Sequence, residues 1–432
     1  MLKGRVRERK TISVLVIKAQ CFFQITSSCP SQRRGSSFTM QTDELLVDRI
    51  GCVTVLTLNR PRQLNVLSVA VVRKLLEVYA KYEADPGVKA IVVQGSSEAR
   101  VPCLCAGGDV KRIYEMRLDS KPEQHHETSY DALSFFAAEY VMNSFLSRLR
   151  TPHVALMDGI VMGGGCGISV NGKYRCATER TVLSMPECAI GLVPDVGGTY
   201  FLSRVQGELG TMLALTGRRV SGRDAKDLGL ATHTLASEDI PRVANELATA
   251  LADVDKVDAT EVVEQVLRRL ETQLPESPGD VLPRRAEIDA WFVGDRVEDI
   301  VAALKDAAEG HGGRLAVELL EAIEAGSPTS LKVTLAMLRL ARRAEPPPSL
   351  NSCLRTELCA VAGCLARGDF YEGVRALLVD KGKGPKPSWR VGRLEDVSAE
   401  DVEAHLAPET KEVGGIVAKF WEEANGDWTA RL

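Results

Sequence analysis

The chain has 432 residues, a formal net charge of −4, and charged side chains at 26% of its positions. This length suits one large domain with extensions, or two domains. No apolar run approaches the roughly 20 residues of a membrane helix. The negative net charge argues against nucleic-acid binding over the whole surface. We therefore expect a protein of an aqueous compartment, with neither a membrane nor a nucleic acid among its partners.

The N-terminal segment, residues 1–39, differs from the rest in charge. It holds eight Lys or Arg and a single acid, Glu8, together with many serines. This composition is typical of an organellar transit peptide and predicts a mitochondrial presequence, which places the mature protein in the matrix. A disordered basic tail and an upstream extension misassigned as coding are the alternatives. Because residues 1–39 carry a net charge of +7, the rest of the chain carries a net charge of about −11.

The cysteines and histidines do not form a metal-binding pattern. The eleven cysteines are scattered with no CxxC pair, which indicates reduced, mostly buried thiols in a reducing compartment. The six histidines show no HExxH spacing and no His/Cys cluster. The sequence therefore predicts no metal site.

The first structured part, residues 45–235, alternates strands with helices. The run from Cys52 to Leu58 is β-branched and of strand length, and an amphipathic helix capped by Ser68 follows it. A second apolar strand begins at Val88, and a third begins at His153. Each of the two later strands leads through a glycine-rich loop into a helix. This order predicts an α/β architecture with buried parallel strands.

Beyond residue 235 the sequence changes to helical periodicity. Residues 236–390 are rich in Ala, Leu, Glu and Arg and form a helical region, with one helix predicted to begin at Ser327 with a proline in its first turn. The last segment, residues 391–432, is charged and weakly patterned and is interpreted as a C-terminal tail.

Two glycine clusters, Ala106-Gly107-Gly108-Asp109 and Met162-Gly163-Gly164-Gly165, each lie between a strand and a helix. Glycine lets another group approach the backbone closely. Neither cluster completes a P-loop or a GxGxxG fingerprint, so nucleotide phosphate is disfavoured. Tight turns for packing remain an alternative. The functional hypothesis is that each loop supplies one N–H to an oxyanion hole for a carbonyl that becomes tetrahedral.

Two carboxylates, Glu187 and Asp195, stand in the otherwise apolar stretch LSMPECAIGLVPDVGG. A carboxylate in a dry pocket has a raised pKa and becomes a usable base near neutral pH, and a second acid nearby can retain a proton. The alternative is structural, with Glu187 beginning a helix after Pro186 and Asp195 capping the next helix. Spacing alone does not decide between the two.

At these residues the chain resembles the crotonase (enoyl-CoA hydratase/isomerase) superfamily, and in particular its hydrolase subgroup. The matching segments run in family order from about residue 45 to 390. They are NRPRQLNVLS, CAGGDVKRIYE, MDGIVMGGGCGISV, MPECAIGLVPDVGGTYFLSR, LTGRRVSGRDAKDLGLATH, SPTSLKVTL and DFYEGVRALLVDK.

The resemblance implies a spiral of ββα turns, completed by a helical C-terminal region. That region is expected to cover the site or to serve in assembly, and a homo-oligomer is one possible assembly. It also implies hydrolysis of an acyl-CoA thioester, with 3-hydroxyisobutyryl-CoA from valine breakdown as the expected substrate. No cofactor is expected, since CoA is part of the substrate. The implied site residues are the catalytic acids Glu187 and Asp195, the oxyanion-hole donors Gly108 and Gly164, the substrate-contacting acid Glu115, and the backbone of Gln63, Leu64, Ala106 and Gly107 around the pantetheine arm. Gly164, Glu187 and Asp195 are also expected to contact substrate.

Two departures from the wider superfamily stand out. Hydratases carry a first catalytic glutamate after the second glycine cluster, where this chain has Gly167. Without that acid, the addition of water across a double bond lacks a proton carrier, which favours thioester cleavage. Asp158 stands where a histidine is common, and the sequence assigns no consequence to it.

Three other functions remain open at this stage. The first is an enoyl-CoA hydratase or isomerase on the same fold. The second is a non-catalytic RNA-binding or scaffold protein, which the dispersal of the lysines among acids disfavours. The third is a cysteine thioesterase using Cys105 or Cys188, although neither has a histidine nearby in sequence to activate it.

Overall fold

The computed structural model describes residues 43–120, 125–276, 281–310, 313–407 and 411–425. The predicted presequence, residues 1–39, lies outside them. Ten strands are described: β1 Leu45–Ile50, β2 Val53–Leu58, β3 Ala90–Gly95, β4 Cys103–Cys105, β5 His153–Met157, β6 Ile160–Met162, β7 Tyr174–Ala177, β8 Val182–Ser184, β9 Val220–Ser221 and β10 His233–Thr234.

The described α-helices lie between and after these strands. They are α1 Val69–Ala84, α2 Val110–Asp119, α3 His125–Leu146, α4 Gly164–Val170, α5 Gly198–Leu202, α6 Leu209–Thr216, α7 Gly222–Asp227, α8 Val243–Ala250, α9 Ala259–Leu270, α10 Arg285–Phe292, α11 Val297–Glu309, α12 Gly313–Ala325, α13 Pro328–Arg343, α14 Leu350–Arg367, α15 Asp369–Val374, α16 Ala399–Leu406 and α17 Lys411–Asn425.

The strands form two sheets. The larger has the order β1-β2-β3-β5-β7-β10 and is parallel except for the β1–β2 hairpin. The smaller has the order β4-β6-β8-β9, with only β9 antiparallel. Consecutive strands such as β5 and β6 divide between the two sheets, and a helix follows the second of them. The predicted α/β architecture with parallel strands is confirmed.

Alternation along the strands places apolar side chains on both faces of the larger sheet. Val55 and Val92 belong to a cluster that includes the buried side chains of α8 and α9. Leu56 and Val93 point into the main core, which includes residues of α1 and α3. Because both faces are covered, the strands read as continuous apolar runs rather than as alternating ones.

The capping residues predicted from sequence start the helices where expected. The Ser68 hydroxyl accepts a hydrogen bond from the Val71 N–H at 3.1 Å, and Ser327 does the same for Ser330 at 3.2 Å. Each satisfies an N–H that the helix itself leaves without a partner. Pro328 occupies the first turn of α13, as predicted.

The sequence expectation of a weakly patterned tail after residue 391 differs from the structure. Two helices, α16 and α17, lie in that segment, and α17 packs against α3 and α14. Phe420 on α17 is fully buried, with its ring centroid 6.4 Å from that of Tyr140. Helix α17 therefore packs against a helix of the α/β part. In the described ranges, no helix is long and apolar enough to cross a membrane.

Candidate active site

Four carboxyl side chains are buried close to one another in the core. The exposed fractions are 5% for Glu187, 4% for Asp195, 1% for Glu139 and 0% for Glu357. Among the described residues, none of the four forms an ion pair with a Lys, Arg or His. Buried acids without counter-charge are costly as anions, which makes this cluster the strongest candidate for a catalytic site.

Glu187 begins a short 3₁₀ turn, Glu187–Ile190, which follows β8 and Pro186. A Cβ on Gly163 would lie 2.8 Å from Glu187 Oε1, and Gly163 adopts a φ of 48°. Only glycine allows both this conformation and this approach. Glu187 Oε2 is buried without a hydrogen-bond partner. The carboxyl group thus lies against the second glycine cluster with one oxygen available to a ligand.

The two predicted oxyanion-hole residues lie side by side. A Cβ on Gly164 would lie 3.2 Å from the Gly108 nitrogen. Within the described residues, neither the Gly108 N–H nor the Gly164 N–H has a hydrogen-bond acceptor. Two neighbouring amides without partners, beside a buried carboxyl group, have the geometry that an oxyanion hole for a carbonyl oxygen requires.

Asp195 lies in the loop before α5 and is held by a tyrosine. The Tyr140 hydroxyl donates a 2.6 Å hydrogen bond to Asp195 Oδ2. The side chain does not cap α5, since the N-cap is Gly197 and has no side-chain hydrogen bond. Glu357 of α14 accepts hydrogen bonds from the N–H groups of Gly197 at 2.8 Å and Thr199 at 2.7 Å. Asp195 is therefore fixed through its side chain by α3 and through its loop by α14.

Burial and mutual repulsion shift the pKa values of the cluster upward. Burial raises the pKa of Glu187 well above its ordinary value, and the charge of Asp195 adds to the effect. Burial raises the pKa of Asp195 to about 7, against the opposing hydrogen bond from Tyr140. Burial likewise raises the pKa of Glu357 to about 8, although two N–H groups favour its ionised form. The site therefore retains protons at neutral pH, and the charge of Asp195 favours the protonated form of Glu187.

The long helix α3 supplies polar residues that sequence analysis missed. Glu139 and Asn143 are fully or almost fully buried and one helical turn apart, with Tyr140 between them. A Cβ on Gly164 would overlap Glu139 Oε1, and a Cβ on Gly167 would lie 2.9 Å from Asn143 Nδ2. The available signal was three polar residues in AAEYVMN, inside the otherwise apolar second half of this helix.

The structure brings the predicted pantetheine-binding backbone together with the first glycine cluster. The Ala106 N–H donates to the Leu64 carbonyl at 3.0 Å, and the Leu67 N–H donates to the Gly107 carbonyl at 2.8 Å. Gln63 ends the 3₁₀ turn Pro61–Gln63 just before Leu64. These hydrogen bonds place the two segments side by side next to Gly108.

Glu115 lies apart from the buried carboxyl cluster. It is on α2, with 45% of its side chain exposed, and forms ion pairs with Lys111 at 3.9 Å and Arg112 at 3.6 Å. Both ion pairs are of the exposed, weak kind. Its expected contact with substrate stays a prediction.

The two departures noted in the sequence have structural counterparts. At Gly167, a Cβ would lie 2.8 Å from the Val196 Cβ and 2.9 Å from Asn143, so this position has no room for a glutamate in the present packing. Asp158 accepts hydrogen bonds from Thr178 Oγ1 at 2.8 Å and Arg180 Nε at 2.9 Å. Asp158 thus joins neighbouring loop residues instead of contributing to the carboxyl cluster.

The cysteines considered as nucleophiles are buried and held as thiols. Burial raises the pKa of Cys188 to about 12, and burial also raises that of Cys105. The Cys188 thiol contacts the Ala214 carbonyl and the Thr334 hydroxyl rather than a base. Such thiols are poor nucleophiles. No group of three or more His, Cys, Asp or Glu in the described ranges is placed to hold a metal ion.

A sequence model of the enoyl-CoA hydratase/isomerase family matches residues 53–406. The chain therefore belongs to the enoyl-CoA hydratase/isomerase family. Curated relatives include the mitochondrial 3-hydroxyisobutyryl-CoA hydrolase of Homo sapiens, 37% identical over 399 residues, covering 92% of this chain and 96% of the human protein. The enzyme of the same name from Bos taurus is 38% identical over 386 residues, covering 89% of this chain and 93% of the relative.

Solved structures agree on the crotonase fold. A carnitinyl-CoA dehydratase from Mycobacterium thermoresistibile is 37% identical with a TM-score of 0.73, over 86% of this chain and 98% of that chain. An enoyl-CoA hydratase from Rhodobacter sphaeroides 2.4.1 is 32% identical with a TM-score of 0.71, over 86% of this chain and 99% of that chain. The predicted crotonase-like architecture is confirmed.

Proposed function

We propose that the protein is an acyl-CoA thioester hydrolase that converts 3-hydroxyisobutyryl-CoA and water into 3-hydroxyisobutyrate and CoA. The observation that carries the proposal is the position of Glu187, a buried carboxyl group with one unpartnered oxygen that lies against Gly163. Gly163 directly precedes Gly164, whose N–H, like that of neighbouring Gly108, has no acceptor among the described residues. The relatives named 3-hydroxyisobutyryl-CoA hydrolase, which match about nine tenths of the chain, support the same substrate.

The chemistry follows from this arrangement. The thioester carbonyl oxygen accepts hydrogen bonds from Gly108 and Gly164, which stabilise the negative charge that develops on it. Glu187 in its ionised form removes a proton from water as the water oxygen attacks the carbonyl carbon. The carbon–sulfur bond then breaks, and the proton that Glu187 took from water passes to the sulfur, so CoA leaves as the free thiol and Glu187 is ionised again. In the alternative route, the Glu187 carboxylate attacks the carbonyl carbon, the carbon–sulfur bond breaks and the CoA thiolate leaves; water then opens the resulting anhydride and frees the acid and Glu187.

Asp195 has the second role. Its pKa of about 7 lets it gain or lose a proton near neutral pH. Glu187, whose pKa is raised well above its ordinary value by burial and by the charge of Asp195, must lose its proton before it can act as the base. Asp195 binds the substrate hydroxyl or assists the departure of the thiolate. Tyr140 orients it through the hydrogen bond to Oδ2.

The remaining predicted contacts complete the proposal. The backbone of Gln63, Leu64, Ala106 and Gly107 holds the pantetheine arm, and Glu115 contacts substrate from α2. The mitochondrial names of the relatives and the basic composition of residues 1–39 support a mitochondrial protein, and the proposed compartment is the matrix, where valine is degraded.

A hydratase is the second candidate, because the two similar solved structures reported above carry hydratase or dehydratase names. The packing at Gly167 argues against it, since the position of the first hydratase glutamate is filled by Asn143 and Val196. A panel of acyl-CoA substrates separates the two. Release of free thiol from 3-hydroxyisobutyryl-CoA supports the hydrolase, whereas loss of the enoyl absorbance of crotonyl-CoA without thiol release would overturn it.

A further inference from the structure

Glu139 borders the same space as the two amides. A Cβ on Gly164 would overlap Glu139 Oε1 and lie 3.2 Å from the Gly108 nitrogen, while a Cβ on Gly108 would lie 3.8 Å from Glu139 Oε2. Glu139 Oε1 is buried and has no hydrogen-bond partner among the described residues. One carboxyl group therefore borders both glycines whose N–H groups are proposed to hold the acyl oxygen, and its unpartnered oxygen lies on the Gly164 side of that space.

Within the part of the chain that the structure describes, the titratable groups that interact with Glu139 are acidic or neutral. Asp195 lies in the loop before α5, Glu187 in the 3₁₀ turn, Cys105 on β4, and Tyr140 next along α3. Burial raises the pKa of Glu139 well above its ordinary value, and the charge of Asp195 raises it further. A carboxyl group in such surroundings is held as the neutral acid at pH 7 and has an O–H to donate.

We propose that Glu139 is a third donor to the acyl oxygen, its neutral O–H completing the oxyanion hole formed by the N–H groups of Gly108 and Gly164. This inference rests on the proposed thioester hydrolysis. Glu139 keeps its proton throughout and contributes a hydrogen bond that strengthens as negative charge develops on the oxygen. An ionised Glu139 would instead repel that oxygen, so the protonation state of this side chain sets the rate.

Two substitutions separate donation from packing. Glu139→Met keeps the length of the side chain but has no donor, and we expect kcat to fall on the order of a hundredfold with KM within a few-fold. Glu139→Gln keeps a weaker donor that does not titrate. We expect its kcat to fall about tenfold at pH 7. In the wild-type protein, ionisation of Glu139 at alkaline pH should lower kcat; in Glu139→Gln this contribution to the pH profile should be absent.

A spectroscopic measurement reports the hydrogen bond directly. 3-Hydroxyisobutyryl-CoA carrying a ¹³C-labelled thioester carbonyl is bound to the slow Glu187→Gln variant, and the infrared carbonyl stretch is recorded. Removing a donor weakens the polarisation of the carbonyl, so adding Glu139→Met is expected to move the band to higher frequency. Glu83→Gln is the matched control, since Glu83 is also a buried glutamate but bonds to Thr151 and Arg150 away from the cluster.

The outcomes are distinct. A hundredfold loss in Glu139→Met, with a shifted carbonyl band and an unshifted band in the Glu83 control, supports the third donor. A Glu139→Met variant within threefold of the wild-type kcat, or an unshifted band, overturns it. If the wild-type protein releases no thiol from the substrate, the proposed hydrolysis fails instead.

Discussion

The α/β part and the helical C-terminal part contribute to the site in different ways. The α/β part supplies the groups proposed to meet the substrate, namely the amides of Gly108 and Gly164 and the acids Glu187 and Asp195. The helical part supplies Glu357, which binds two backbone N–H groups of the loop that carries Asp195. The proposed reacting groups thus come from one region, while part of their positioning comes from the other.

This division has an energetic consequence. Glu357 is completely buried, and removing it would leave two backbone donors without acceptors. Unsatisfied buried donors cost about 1–3 kcal/mol each. The helical part is therefore coupled to the active-site loop through hydrogen bonds. Substitutions that remove these hydrogen bonds are expected to displace Asp195 and so to lower kcat.

The largest expected effect is in the α/β part. Glu187→Gln keeps the shape of the side chain but removes the base, and we expect kcat for thiol release to fall about 10³-fold, within the range for a lost acid–base group. Glu179→Gln is the control, because Glu179 is an exposed glutamate eight residues earlier. A Glu187→Gln variant with at least one third of the wild-type kcat would remove Glu187 from the mechanism.

A smaller effect is expected from the helical part. Glu357→Leu removes both acceptors, and we expect kcat to fall about tenfold and the free energy of unfolding to fall by about 2 kcal/mol. Thiol release and urea denaturation give the two quantities. Glu321→Leu on α12 is the control, since that glutamate is exposed. Wild-type kcat in Glu357→Leu would show that the helical part does not position Asp195.

The pH dependence of stability tests both parts together. The pKa of Asp195 rises from 3.8 to about 7 on folding, and that of Glu357 rises from 4.5 to about 8. Between pH 5 and 7 the folded protein thus holds protons that the unfolded chain has released, so these groups make the free energy of unfolding fall as pH rises. Each of the two carboxyl groups lowers the free energy of unfolding by up to about 1.4 kcal/mol for each unit that the pH rises in this range.

Asp195→Asn and Glu357→Gln each remove one such proton. We expect the fall in the free energy of unfolding between pH 5 and 7 to become shallower in each variant, measured by chemical denaturation at several pH values. Glu321→Gln should leave the slope unchanged. An unaltered slope in both active-site variants would mean that these carboxyl groups are ionised in the folded protein, contrary to the account.

The smallest effect is expected at the end of the chain. Phe420→Leu removes the ring that packs on Tyr140, and we expect a loss of about 1 kcal/mol in the free energy of unfolding with kcat within threefold of wild type. The hydrogen bond from Tyr140 to Asp195 should survive this change. A tenfold fall in kcat would instead assign the C-terminal helix a direct part in holding Asp195.

The sequence predicted the parts of the site that lie in short ordered motifs. Glu187, Asp195 and the two glycine loops are recognisable because each combines unusual residue types within a few positions. The parallel strands were predictable for the same local reason, since their apolar runs are bounded by turns. The roles of these residues stay predictions, although the structure brings Gly108, Gly164 and Glu187 together.

The supporting residues could not be predicted from local pattern. Glu357 binds N–H groups that lie 160 and 158 residues earlier in the chain, so no local spacing marks it. Glu139 and Asn143 lie on α3, which is buried on nearly all sides and lacks the apolar stripe of an amphipathic helix. The segment after residue 391 reads as polar because only a few side chains of its helices, such as Phe420, enter the core.

The most direct test of the account is the position of a bound acyl group. The complex of the protein with a non-hydrolysable thioether or ketone analogue of 3-hydroxyisobutyryl-CoA would be solved by crystallography. The account predicts the acyl oxygen at about 2.7–3.1 Å from the nitrogens of both Gly108 and Gly164, with the carbonyl carbon facing Glu187. An acyl oxygen bound away from both amides, or a carbonyl carbon that Glu187 cannot reach directly or through one water, would contradict it.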